Sequence, residues 1–297
     1  MLFTQATIVL VAAGLAIAAP IEKCAEITDA DILNYALTLE HLENTFYREG
    51  LAKYSKQNFS DAGFDSTFYD NLQKVGQDET DHVNFLSSAL KAAGATPVEE
   101  CTYDFGYKDV DTFLATASIL EGVGVSAYLG AAAGIRSKTY LTAAGSILTV
   151  EARHSSYLRS KLGKTPFPQA FDTPLTLNEV YSLASGFITG CPENNPALPV
   201  KAFPALAVDG NMAIKTGDTV TLKTPGYTLR GADGVQVYAA FIAVTGPVFV
   251  DATPVDGGFS VVIPKGFAGQ TYVVLTSCKD AVSDDTVAAG PALIEIS

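Results

Sequence analysis

The chain has 297 residues, enough for one large domain and a smaller one, and 48% of them are hydrophobic. It carries 32 Asp and Glu against 19 Lys and Arg, a formal net charge of −13. Its basic residues form no cluster, which argues against nucleic acid as a partner because no surface would neutralise the phosphates.

The first twenty residues are uncharged and largely apolar, and they end in small residues before Pro20. This pattern predicts a secretory signal peptide at residues 1–19, although the usual basic n-region is missing. A signal anchor is the alternative, but the apolar run is short for a membrane helix.

Two further features agree with secretion. Asn58 begins a glycosylation sequon, and four cysteines suit two disulfides in an oxidising compartment, with three connectivities left open. The cysteines are Cys24, Cys101, Cys191 and Cys278.

Helical periodicity recurs along the first half of the chain. Apolar residues at helical spacing predict long helices at 29–51, 66–93, 110–136 and 139–162. The connection at 95–108 is long enough to cross the length of a bundle. A capping-box pattern, Thr176-x-x-Glu179, predicts a short fifth helix that ends near residue 188.

Residues 110–150 are apolar enough to suggest a membrane span. Glu121, Arg136 and Lys138 interrupt that run, and its glycines and alanines fit close helix packing. We therefore predict no membrane span in the mature chain.

The composition and pattern of the sequence change after residue 190. Four prolines indicate a linker at 191–204, and short β-type runs then alternate with Gly, Pro and Asp turns. The predicted strands are 219–223, 235–244, 248–250, 259–263, 271–276 and 292–296, and Asp256-Gly257-Gly258 predicts a hairpin turn. The fold class predicted is α+β and multidomain: a four-helix bundle at 20–190 followed by a small all-β sandwich at 205–297.

Two of the predicted helices carry the same motif, Glu79-x-x-His82 and Glu151-x-x-His154. Positions i and i+3 lie on one face of a helix, so each motif presents a carboxylate and an imidazole to the same point. The other two long helices each carry a glutamate on a core-facing stripe, where an unpaired carboxylate would cost several kcal/mol. Together these groups form the ligand set of a carboxylate-bridged dinuclear metal centre. The alternative is that they are exposed helix glutamates paired with Lys or Arg. The six predicted ligands are Glu40, Glu79, His82, Glu121, Glu151 and His154.

Further polar residues share these helix faces. Glu43 lies on the same face as Glu40, and Tyr47, one heptad after Glu40, favours Glu40 as the inner ligand. Glu43 is then an extra ligand or an acid behind the ligands. Tyr47, Tyr128 and Tyr157 are candidates for hydrogen bonds to the ligands, and core tyrosines are the alternative.

The first 190 residues resemble the ferritin-like superfamily. In particular they resemble secreted fungal ferritin-like proteins of the stress-response or late-sexual-development type, and plant desiccation-related proteins. The resemblance rests on DADILNYALTLEHLENTFY, QDETDHVNFLSSAL, ASILEGVGVSAYLGAA and LTVEARHSSYLRSKL, one segment in each long helix. The order and spacing of the six ligands are similar to the site of bacterioferritin and manganese catalase. The resemblance therefore implies a four-helix bundle with two Fe or Mn ions.

The resemblance also suggests a disulfide pattern. In a ferritin-like bundle the start of the first helix and the end of the second lie at the same end. Cys24 would then meet Cys101, and Cys191 and Cys278 would tie the linker to the β-domain.

Metal ions and small oxidants are the partners that this site implies. The leading hypothesis is peroxide- or dioxygen-dependent redox chemistry, catalase-like or ferroxidase-like, in extracellular stress protection. The rival is a non-enzymatic extracellular or cell-wall protectant with a structural metal site or none. Simple metal sequestration is a third interpretation, and the sequence leaves open whether the chain forms a homo-oligomer.

Overall fold

The computed structural model describes residues 26–209 and 213–297. The predicted signal peptide and Cys24 lie outside the described residues. Within them, the first half of the chain is helical, and the four long helices are confirmed to within a few residues at each end. The helices are α1 (Asp29–Lys53), α2 (Lys56–Asp61), α3 (Ser66–Ala92), α4 (Val110–Ala131), α5 (Lys138–Lys161) and α6 (Leu177–Ala184).

The helices begin where side chains can cap their free backbone amides. Thr28 at the start of α1 accepts a hydrogen bond from the Asp31 amide, and the Asp31 carboxylate accepts one from the Thr28 amide. The predicted capping box of α6 is confirmed in the same way, because Glu179 accepts from the Thr176 amide at 2.7 Å. These local caps fix the helix starts, and packing of α1 against α3 and of α4 against α5 builds the bundle.

Helix α4 is apolar along most of its length. The segment Val110–Gly134, which includes a 3₁₀ turn at Ala132–Gly134, has a mean hydropathy of 1.3 and is long enough to cross a membrane by composition alone. In the structure 67% of the most apolar 18-residue stretch of this segment is buried inside the protein, as expected for a core helix of a bundle. The α-helix itself ends at Ala131, five residues before the predicted end at 136.

The long connection between α3 and α4 is tied to the segment after α6. A short strand β1 (Thr102–Tyr103) pairs antiparallel with β2 (Ile188–Gly190), with Thr102 opposite Gly190. Cys101 and Cys191 therefore face each other at the end of this pair and form a disulfide, with their Cα atoms 4.2 Å apart. The predicted pairing of Cys101 with Cys24, and of Cys191 with Cys278, is wrong. The chain after α6 returns to the α3–α4 connection and places Cys191 beside Cys101. Cys278 is exposed and has no disulfide partner among the described residues.

The last third of the chain forms two antiparallel four-stranded sheets. Their orders are β10-β9-β5-β6 and β3-β4-β8-β7, and one apolar core that draws on both sheets lies between them. All six predicted strands are present, and the predicted turn joins β7 to β8 through Asp256 and Gly257. Two short strands, β3 and β7, were not predicted. The strands are β3 (Ala207–Val208), β4 (Thr219–Lys223), β5 (Tyr238–Phe241), β6 (Val248–Asp251), β7 (Thr253–Val255), β8 (Gly258–Val262), β9 (Gly269–Thr276) and β10 (Val287–Ile296).

The β-sandwich packs directly against the bundle. Strand β9 is buried on both faces: Val273 and Leu275 enter the sandwich core, whereas Tyr272 and Val274 join the core of the helices. The Tyr272 hydroxyl lies 3.0 Å from the Gly122 carbonyl oxygen of α4 and donates to it. The two units are thus held together through a shared apolar interface around α4.

Candidate metal centre

The four long helices bring the six predicted ligands to one point in the middle of the bundle. Helix α1 carries Glu40, α3 carries the first Glu-x-x-His motif, α4 carries Glu121 and α5 carries the second motif. None of the six residues is more than 9% exposed, so the interpretation as exposed glutamates does not describe this structure. These carboxylates lie deep in the core, and no Lys or Arg of the described chain forms an ion pair with them within 4.0 Å. The six side chains are Glu40, Glu79, His82, Glu121, Glu151 and His154.

The six side chains form two overlapping sets of possible metal ligands. In each set four ligand atoms lie within 4.8 Å of one another. Glu79 and Glu151 belong to both sets, so their carboxylates lie where the two sets meet. The first set is completed by Glu40 and His82, and the second by Glu121 and His154.

The ligand atoms lie close together, but several of them have no hydrogen-bond partner among the described residues. His154 Nδ1 lies 3.1 Å from Glu79 Oε1 and 3.3 Å from Glu121 Oε2, yet none of these three atoms has an aligned hydrogen-bond partner among the described residues. Both carboxylate oxygens of Glu151 are also buried and without a partner there. Orphaned buried acceptors are costly and rare in folded proteins. The donor set, with carboxylate oxygens and imidazole nitrogens aimed at common points, fits divalent or trivalent transition-metal ions.

Two tyrosines hold the outer ligands in place. The Tyr128 hydroxyl donates to Glu40 Oε1, and the Tyr47 hydroxyl donates to Glu121 Oε1. Each bond occupies one oxygen of a carboxylate and fixes the direction of the other. Tyr157 has a different role, because its hydroxyl accepts a hydrogen bond from Asn71 at 2.9 Å, away from the cluster.

Asp78 supports the second set and was missed by the sequence reasoning. Its Oδ2 lies 3.4 Å from His154 Nε2, so a proton on Nε2 would point to Asp78 and leave the Nδ1 lone pair free to bind a cation. The sequence gives no signal for this contact, because Asp78 is on α3 and His154 on α5.

Residues 28–164 match the family model described as the ferritin-like domain. The helical unit has a ferritin-like fold. A relative, Protein rds1 of Schizosaccharomyces pombe, is 29% identical over 178 residues. That match covers 60% of this chain and 44% of the relative, so the similar region spans less than half of the relative's length.

Burial and mutual repulsion control the protonation of the cluster in the ferritin-like domain. Burial raises the pKa of Glu121 to about 7, with His154 opposing this effect and the Glu151 charge adding to it. The pKa of Glu79 is likewise raised well above its usual range, first by burial and then by Glu151. Burial alone would lower the pKa of His82, but the three carboxylates 3.2 Å from its Nδ1 outweigh burial and raise it. The protein alone therefore holds protons that incoming cations would displace.

Glu43 lies beside the cluster but belongs to neither ligand set. It is 5% exposed, and burial, followed by the charges of four neighbouring glutamates, raises its pKa well above the usual range. It approaches Gly124 so closely that a Cβ there would lie 3.1 Å from Glu43 Oε1 and 3.7 Å from Glu151 Oε2. Glu43 is thus an acid behind the ligands, one of the two roles expected from the sequence.

The predicted glycosylation site lies apart from this centre. Asn58 is exposed and lies in the first turn of α2, where its Oδ1 accepts a hydrogen bond from the Ser55 amide at 2.9 Å. Its glycosylation stays a prediction.

Proposed function

We propose that the ferritin-like domain binds two Fe or Mn ions and uses them for peroxide- or dioxygen-dependent redox chemistry. The observation that carries this proposal is the pair of overlapping ligand sets with unpartnered, buried ligand atoms. A solely structural core would have no reason to bury four carboxylates together and leave four of their oxygens without partners among the described residues. Two cations would compensate those charges and satisfy the orphaned oxygens.

Each residue of the cluster has a distinct role in this proposal. Glu40 with His82 would hold one ion, Glu121 with His154 the other, and the two shared glutamates would lie between them. The ions would supply electron exchange and a Lewis-acid position for a small oxidant.

The rest of the domain would prepare the site for that chemistry. The Tyr47 and Tyr128 hydroxyls hold the outer carboxylates in fixed directions. The apolar residues around the cluster keep bulk water away, which strengthens every electrostatic interaction inside. Burial and the neighbouring glutamates raise the pKa of Glu43, which favours its protonated form beside the shared Glu151, and Glu43 would be a local proton source.

We further propose that this chemistry serves stress protection outside the cell. Support comes from the signal-like N-terminus and from the Cys101–Cys191 disulfide, which suits an oxidising compartment. Association with the cell wall and assembly into a homo-oligomer stay predictions.

Metal content is the first test. The secreted protein should contain about two Fe or Mn per chain by elemental analysis, and Glu79→Gln/Glu151→Gln should lose both, because these residues belong to both ligand sets. A matched control, Glu99→Gln/Glu193→Gln, changes two exposed glutamates and should keep the metal content. Absence of stoichiometric transition metal in the native protein, even after reconstitution with Fe and Mn, would refute the proposal.

Turnover separates redox chemistry from a structural metal. Peroxide or dioxygen should change the optical spectrum of the metal-loaded protein and be consumed over many cycles. Metal that stabilises the fold but shows neither response would instead favour the non-enzymatic protectant.

A further inference from the structure

An apolar cavity of about 150 Å³ lies in the groove between α1 and α4. Leu39 and Leu42 line it from α1, and Leu120 and Val123 line it from α4. Every lining residue except Glu43 is apolar or glycine. The cavity wall therefore carries a single polar side chain.

The inner end of this cavity reaches the metal cluster. Two of its lining residues, Glu43 and Gly124, are also neighbours of the shared ligand Glu151. Gly124 has no side chain, and a Cβ placed there would lie 3.7 Å from Glu151 Oε2, which is van der Waals contact. A molecule in the cavity would thus contact Glu43 and Gly124, two residues that lie next to the shared ligand Glu151.

The outer wall comes from the part of the chain after the ferritin-like match. Leu183 and Ala184 of α6, Phe187 just beyond it, and Leu293 of β10 cover the α1–α4 groove. The family match ends at residue 164, so these residues lie outside it. The C-terminal segments therefore cover part of the groove and deepen it into a pocket.

The size and lining of the pocket define what it can hold. An engineered cavity of about the same volume, lined by aliphatic and aromatic side chains, stays dry and binds benzene or xenon. An ordered water needs two to four polar partners, and one carboxyl group is too few. A charged ligand would have no compensating group, because no basic residue lines the cavity.

We propose that this cavity binds a small apolar organic molecule, about the size of one six-membered ring, beside the metal centre. Its use as a site for an organic co-substrate rests on the proposed function, whereas binding itself does not. The inference assigns a role to α6 and the β-sandwich, which supply the outer wall.

Benzene and xenon are suitable probes, and the experiment uses the full chain with and without metal. Near-saturating benzene should raise the melting temperature by about 2 °C or more, whereas benzoate at the same concentration should not. Crystals pressurised with xenon should show anomalous density between Gly124 and Ala184. No benzene stabilisation and no xenon at this position would overturn the inference, as would xenon bound only elsewhere.

Variants link the binding to the pocket. Ala184→Leu extends a side chain into the cavity and should weaken benzene binding by about tenfold or more. Ala144→Leu is a matched control that makes the same change in the bundle core away from this cavity, and it should bind benzene as the native protein does. Unchanged binding in Ala184→Leu would place the ligand elsewhere. If Ala184→Leu does not fold, the xenon position in the native protein decides. Benzene binding in a protein that takes up no Fe or Mn even after reconstitution would support this inference while refuting the proposed function.

Discussion

The metal-free protein should lose stability as the pH rises from about 5 to about 8. Glu121 carries the clearest part of this effect, because burial raises its pKa to about 7 from an ordinary value of 4.5. A group whose pKa is raised by folding stabilises the protein fully below its unfolded pKa. That contribution is lost as the pH rises through the folded pKa. The difference between 4.5 and about 7 corresponds to about 3 kcal/mol at 1.36 kcal/mol per pH unit.

Urea denaturation at about pH 5, 6, 7 and 8 in the presence of a chelator measures this loss. Each carboxyl that stays protonated in the folded state contributes a slope of about −1.4 kcal/mol per pH unit between its two pKa values. The raised pKa values of Glu43 and Glu79 act in the same direction. Glu121→Gln should make the decline shallower, since the amide does not titrate and its oxygen can still accept from Tyr47.

Loading with Mn²⁺ should reverse the trend. Ligand carboxylates bind as anions, so metal affinity and the stability linked to it should increase with pH. Metal-free protein whose stability is flat or rises between about pH 5 and about pH 8 would refute the reasoning. That result would mean that the cluster is ionised and hydrated, unlike the buried arrangement described above.

Three further predictions concern support of the ligands, helix packing and docking of the β-sandwich. Tyr128→Phe removes a donor to a predicted ligand carboxylate and should weaken Mn²⁺ binding by about 10- to 100-fold in a titration; equal affinity would contradict its supporting role. Gly130→Ala puts a Cβ 1.8 Å from a backbone carbonyl oxygen and should cost about 3 kcal/mol or more in urea unfolding. Gly145→Ala, with nothing within 4 Å, should be neutral or stabilise by up to about 1 kcal/mol, and an equal loss in both variants would count against the packing described. Arg159→Met removes the 2.8 Å partner of Glu295 at the interface, leaves Lys164 at 3.4 Å, and should cost about 1–2 kcal/mol, of which Arg159→Met/Glu295→Gln should recover part.

The sequence predicted the helices and the ligand candidates well because both depend on short-range periodicity. A carboxylate and an imidazole three residues apart must share a helix face, so Glu79 and His82 were recognisable as a unit. Strands are recognisable in the sequence in the same way, because their side chains alternate between two environments. The Asp256-Gly257 turn is recognisable because glycine readily adopts the positive φ, here 73°, that the turn requires. The four strands missed are too short for any period to be visible: Thr102–Tyr103, Ile188–Gly190, Ala207–Val208 and Thr253–Val255.

The cysteine pairing shows where reasoning from one domain fails. Topology of a bare bundle suggested Cys24 as the partner of Cys101. The observed partner, Cys191, reaches it only because the chain after α6 returns to pair β2 with β1. Ninety residues separate the two cysteines, and their meeting depends on the packing of everything between them.

The sequence by itself thus determined the α+β class, the positions of the helices and the identity of the six ligand candidates. Only the tertiary structure decided which glutamates are shared between the two ligand sets, that Asp78 lies against His154, and that an apolar cavity is lined by Gly124 and Glu43 next to Glu151. The physical reason is the range of the interactions. Helical periodicity and capping act over three or four residues and are visible in the sequence, whereas contacts across helices and between the bundle and the sandwich depend on how whole surfaces pack.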